Sequence, residues 1–102
     1  MTRDEAKQWI EETCGKGWLP LVDKAFDSLP SEVTIVEAFQ KYGHLEFRID
    51  PWDHPAKSHL VDIGYESEAM CEVCGAEASE QIVDGWIRTL CQPHFISLSG
   101  GL

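Results

Sequence analysis

The chain has 102 residues, with 18 acidic side chains against 8 basic, a formal net charge of -10, four cysteines and four tryptophans. That length supports one domain with a thin core, and a hydrophobic content of 43% excludes a disordered acidic tail. A pI near 4.6 excludes nucleic-acid binding by phosphate neutralisation, which needs a Lys/Arg footprint. Charged residues Arg3, Asp4, Glu5 and Lys7 near the start, with no apolar run of about 18 residues, are expected of a cytoplasmic chain without signal peptide or spanning helix.

Thr2 and Glu5 stand at capping-box spacing, and Ala6, Trp9, Ile10 and Thr13 then recur at helical spacing until Gly15. A second helix follows in Trp18, Leu19, Val22, Ala25, Phe26 and Leu29, with Pro20 in its first turn and Pro30 as its stop. From Val33 the pattern becomes that of strands, and Leu45, Phe47 and Ile49 alternate with Glu46, Arg48 and Asp50, so a β-hairpin turning at Gly43 is expected. The segment from Asp50 to Pro55 reads as a loop. Ala56 to Met70 reads as a third helix with Leu60, Ile63, Ser67 and Met70 on one stripe, weakened by Gly64. Asp84-Gly85 between Gln81-Ile82-Val83 and Trp86-Ile87-Arg88-Thr89-Leu90 predicts a second hairpin. The fold class is therefore α+β: two N-terminal helices, a β-hairpin, a third helix and a C-terminal zinc-ribbon-like hairpin. Residues 1–96 form the single domain, and 97–102 are expected to be a flexible tail.

The second hairpin carries the chemistry. Cys71 and Cys74 form a C-x-x-C half-site, and Cys91 and His94 form a C-x-x-H half-site that the hairpin returns to it. A two-residue spacer lets two side chains from one tight turn reach one tetrahedral ion, so this is a Cys3His zinc site. Gly75 permits the left-handed turn that brings amides toward thiolate sulfurs. Four protein ligands leave no coordination position for substrate, so one structural Zn2+ per chain is expected, adding about one negative charge if three thiols ionise. A disulfide framework would leave His94 unexplained in a reduced compartment. Cys14 reads as a small apolar residue at the end of the first helix.

From Ser58 through Ile87 there is no Lys or Arg, while Asp62, Glu66, Glu68, Glu72, Glu77, Glu80 and Asp84 contribute negative charge. Such a run solubilises a domain, and it also offers a surface for a basic protein partner. Core placement is the default for all four tryptophans. Trp52 and Trp86, beside turn residues, are the candidates for exposed anchors in such an interface. An enzyme reading exists as well: His44-Leu45-Glu46 with Cys71-x-x-Cys74 loosely matches the H-x-E and C-x-x-C halves of zinc nucleobase and nucleoside deaminases. Met70 stands where that pattern has proline, and His44 opens a strand rather than a helix.

Gly17-Trp18, the hairpin from Lys41 to Phe47, Cys71-Glu72-Val73-Cys74-Gly75, and Gly85-Trp86-Ile87-Arg88-Thr89-Leu90-Cys91-x-x-His94 together resemble a group of small uncharacterised zinc-knuckle proteins of bacteria and their phages. Glu46 departs from that pattern, which tends to place Arg before the phenylalanine, and makes this chain more acidic. The resemblance implies a phage-type inhibitor of a nucleic-acid-binding host complex, anti-CRISPR or DNA-mimic-like. The function expected is thus a non-enzymatic acidic interaction protein. A zinc-ribbon module that assembles with another subunit through an apolar patch is the alternative, and the deaminase the second.

Overall fold

The computed structural model describes residues 1–99. Its elements are α1 (Arg3–Thr13), α2 (Leu19–Asp27), β1 (Thr34–Lys41), β2 (His44–Asp50), α3 (Lys57–Ser67), β3 (Ser79–Val83), β4 (Trp86–Leu90) and α4 (Gln92–Leu98). The fold is the expected α+β order with one helix added at the end. The two hairpins form separate two-stranded antiparallel sheets, and no described helix is long and apolar enough to cross a membrane.

Local chemistry accounts for the boundaries. At the start of α1 the Glu5 amide donates to Thr2 Oγ1 at 3.1 Å and the Thr2 amide to Glu5 Oε1 at 2.8 Å, so two otherwise unpaired donors are satisfied reciprocally. Both hairpins turn on two residues with positive φ, Tyr42-Gly43 at 51° and 84° and Asp84-Gly85 at 52° and 82°. That pairing of angles gives the type I′ turn, whose twist matches that of the flanking strands. The ladder of β1 and β2 is interrupted between Ile35 and Glu37, and the irregularity leaves Val36 exposed.

The main core gathers Ala6, Ile10, Trp18, Val22, Ala25, Ile35, Ala38, Leu45, Phe47, Leu60 and Ile63 from the first three helices and the first hairpin. Trp18 is fully buried, and its indole donates to the Met70 carbonyl at 2.8 Å. Trp9 corrects the sequence expectation. It is 48% exposed, because α1 turns Ala6 and Ile10 inward and the neighbouring position lies about 100° round the helix from Ile10. In α3 the buried stripe is Leu60, Ile63, Gly64 and Ser67. Gly64 has a packing reason, since a Cβ there would come within 2.8 Å of the Leu45 carbonyl oxygen of β2.

A second, much smaller core consists of Cys71, Val83, Leu90 and Cys91, with Val73, Ala78 and Phe95 packed on it. Two of its four members are candidate metal ligands. Ser97 and Leu98, expected to begin the tail, lie in the last turn of α4; residues 100–102 lie outside the described residues.

Candidate metal centre

The C-x-x-C segment folds as a tight knuckle after α3. The Gly75 amide donates to the Cys71 carbonyl at 2.7 Å and the Cys71 amide to the Ala76 carbonyl at 2.8 Å, with Gly75 at φ +82°. The left-handed glycine expected from the sequence is therefore present. Past the hairpin, Cys91 caps α4 in extended conformation and Pro93 occupies the helix's first turn. The Phe95 amide bonds back to the Cys91 carbonyl at 2.9 Å, so C-x-x-H spans the opening turn of a helix and places His94 beside Cys91.

The ligand atoms of Cys71, Cys74, Cys91 and His94 all lie within 4.8 Å of one another. Cys74 Sγ is 3.7 Å from Cys91 Sγ, and Cys71 Sγ is 3.6 Å from His94 Nδ1. A tetrahedral ion with metal–sulfur bonds of about 2.3 Å and metal–nitrogen bonds of about 2.05 Å requires edges of about 3.8 Å between sulfurs and about 3.5 Å between sulfur and nitrogen. Both distances match. The Cys91–His94 edge, at 3.1 Å, is shorter than that ideal. A disulfide would need the sulfurs about 2.05 Å apart, so 3.7 Å separates the two chemistries. The four residues form a site that can hold a metal ion, offering three sulfurs and one imidazole nitrogen.

The electrostatics of the knuckle suit a cation. Burial pushes the Cys71 thiol up, but backbone amides of Cys91, Cys74 and Val73 directed at its sulfur outweigh this and bring it down to about 6. Cys74 receives the Ala76 amide, which lowers it, yet desolvation and the adjacent Cys71 and Cys91 sulfurs together raise it. Crowded sulfurs resist ionising side by side, and a bound cation removes that repulsion.

The knuckle is held against the main body through the α1–α2 connection. The Gly17 amide donates to the Glu72 carbonyl at 2.9 Å. A Cβ on Gly17 would overlap the Cys71 carbonyl oxygen and lie 2.6 Å from the Gly75 nitrogen, and one on Gly15 would lie 2.9 Å from the Val73 Cα. Both glycines are needed because two backbones meet there without room for side chains.

The seven acidic residues divide. Asp62, Glu66, Glu77, Glu80 and Asp84 are exposed and Glu68 is half-buried, with Glu66 paired to Lys24 at 2.7 Å. Glu72 corrects the expectation of a surface acid: it is fully buried. Its carboxylate accepts Arg88 Nε at 2.5 Å, Gln40 Nε2 at 2.7 Å and the Thr89 amide at 3.4 Å. Thr89, also buried, donates its hydroxyl to the Gly43 carbonyl. Glu72 thus ties the knuckle to β1 and β4. The sequence carried one signal for it, since Arg88 is the first basic residue after the Lys/Arg-free stretch. Trp52 and Trp86 are 73% and 74% exposed, but Trp52 follows the far end of β2, roughly 20 Å along the strand from the Gly43 turn that packs on Ile87. Only Trp86 shares a hairpin with Glu80 and Asp84.

The deaminase ligand set is not brought together. His44 and Glu46 belong to β2, and among the described residues the metal-ligating cluster contains neither. No family model matches the chain, and neither a curated protein nor a solved structure matches it. The likeness to phage and bacterial zinc-knuckle proteins therefore rests on the motif residues alone.

Proposed function

We propose that this chain is a non-enzymatic zinc protein whose acidic surface docks on a basic surface of a nucleic-acid-binding protein and blocks it, in the manner of a phage-type inhibitor. Three cysteines and a histidine whose ligand atoms converge on one point favour zinc in a structural role, since four protein ligands leave no position for substrate. The observation that carries the docking reading is the distribution of charge. Arg3, Lys7, Lys16, Lys24, Arg48 and Arg88, six of the eight basic residues, lie beside carboxylates of the chain itself. Glu77, Glu80 and Asp84 have no such partner among the described residues, and Asp84 stands in the turn two residues before the exposed Trp86. An exposed aromatic anchor on a hairpin that also carries unpaired acids is complementary to a basic protein surface.

A second reading is favoured by Ile82, which is 70% exposed on the same hairpin as Trp86: assembly with another subunit through an apolar patch. Salt distinguishes the two. With the metal-loaded protein as bait in nuclease-treated lysate, a basic nucleic-acid-binding complex is expected to be captured at about 50 mM salt and lost at about 500 mM, where the screening length falls to roughly 4 Å. Replacing Glu77, Glu80 and Asp84 by Lys is expected to abolish capture. Capture that persists at high salt and survives those substitutions contradicts electrostatic docking and supports the apolar interface.

A further inference from the structure

The second sheet has two strands, so β3 and β4 each leave one outer edge, and the two edges differ. Val83 and Trp86 flank a two-residue type I′ turn and therefore exchange both main-chain hydrogen bonds, as do Gln81 and Arg88 two positions further on. The amides and carbonyls of Glu80 and Ile82 on β3, and of Ile87 and Thr89 on β4, point outward instead. Two bonds agree with that phase. The Thr89 carbonyl accepts the Glu72 amide at 3.0 Å, and on the chain entering β3 the Ala78 amide donates to the Ala69 carbonyl at 3.0 Å. The β4 edge is thus closed by the knuckle, with the Gly43 turn packed against Ile87 beside it. The β3 edge is closed only as far as Ala78; beyond it, the outward groups of Glu80 and Ile82 have no partner among the described residues.

An unpaired edge is a template for another strand, and proteins commonly guard edges with proline, lysine or a bulge. β3 has no proline, no lysine and no break in its register with β4. Beside its edge, Ile82, Ile87 and Phe95 line an open groove together with Glu80 and Gln81. Charge decides the occupant. A second copy of the chain would bring the same Glu77, Glu80 and Asp84 to the edge with no basic residue, since Lys and Arg are absent from Ser58 through Ile87, and like charges would face each other. A strand bearing lysine or arginine meets those acids with opposite charge, and its alternate apolar side chains reach the groove. We propose that the outer edge of β3 receives an extended basic segment of the partner protein as the third strand of the second sheet. That the owner of this segment is a nucleic-acid-binding protein rests on the docking reading above; the open edge and its charge do not.

The test separates strand addition from charge attraction alone. The metal-loaded protein, labelled with 15N, is titrated with the peptide acetyl-Lys-Val-Lys-Val-Lys-amide and with a counterpart methylated at every backbone nitrogen, which keeps side chains and charges but donates no main-chain hydrogen bond. The first peptide is expected to bind saturably, with a Kd on the order of a millimolar for so short a strand. Its largest shifts and its cross-strand nuclear Overhauser effects are expected at the Glu80 and Ile82 amides. The methylated peptide is expected to bind at least about tenfold more weakly. Ile82→Pro removes an outward donor and no ladder bond to β4, so it is expected to weaken the first peptide about tenfold; should this variant lose its metal or fold, the methylated peptide decides. Equal binding of the two peptides around Glu77, Glu80 and Asp84 would overturn strand addition and leave the docking reading standing. A neutral peptide with serine in place of lysine that binds as tightly as the first would overturn the basic occupant. Self-association through Glu80 and Ile82 without peptide would assign the edge to a second copy and overturn the proposal. Binding by none of the peptides would overturn it alone, because salt-dependent capture of the partner tests the docking reading independently.

Discussion

Removing the metal with a chelator is expected to strip β3, β4 and α4 of amide-exchange protection while α1, α2 and the first hairpin remain protected. The reason is the division of the core. The main body keeps fifteen buried residues that owe nothing to the ligands, whereas two of the four residues at the centre of the second core are Cys71 and Cys91. A hairpin with so little apolar area does not hold together by burial alone. In small metal-dependent units the binding free energy is the folding free energy. Loss of protection in Glu80–Val83 and Trp86–Leu90 by roughly a thousandfold is expected, reversed by adding back zinc. Retained protection in a demonstrably metal-free protein would show that the hairpin stands without its staple.

Glu72→Ala is expected to be among the most damaging single substitutions outside the ligands. Glu72 is fully buried and Arg88 has a side-chain exposure of 24%, so the substitution leaves a mostly buried guanidinium without its counter-charge, and strands Gln40 as well. Breaking one side of such a pair costs about 3 kcal/mol, which for a domain of this size corresponds to a fall in Tm of roughly 15 °C. Arg88→Met is expected to be similarly damaging, because it leaves the buried carboxylate without its counter-charge and its strongest donor. Combining Glu72→Ala with Arg88→Met is expected to recover part of the loss, since neither charge is then stranded. Thermal unfolding of the four proteins reads out this cycle; an unchanged Tm for Glu72→Ala would place the carboxylate at the surface instead.

The elements legible in the sequence were those set by local chemistry. The Thr2/Glu5 box, the glycine-containing turns at Gly43 and Gly85, the alternation of Leu45, Phe47 and Ile49, and the paired half-sites at Cys71/Cys74 and Cys91/His94 each specify geometry within a few residues. What escaped depends on which distant surfaces meet. Trp9 has helical spacing with Ala6 and Ile10, but the direction from which α2 and β1 approach α1 decides that it stays in solvent. Glu72 sits in a run of acids that looks uniform, and only tertiary pairing with Arg88 and Gln40 separates it from its neighbours. Helix α4 is short, and its signals, Pro93 in the first turn and Phe95 facing the small core, were subsumed in the C-x-x-H spacing. Gly15 and Gly17 read as a plain connector, yet they mark where the metal knuckle presses on the helical body.

Native mass spectrometry of the purified, reduced protein beside its Cys91→Ser variant tests the metal centre most directly. One zinc ion per chain is predicted for the parent protein, lost together with the folded hairpin in the variant. A parent protein that carries no stoichiometric metal, or a variant that keeps both metal and fold, would contradict a zinc site built from Cys71, Cys74, Cys91 and His94.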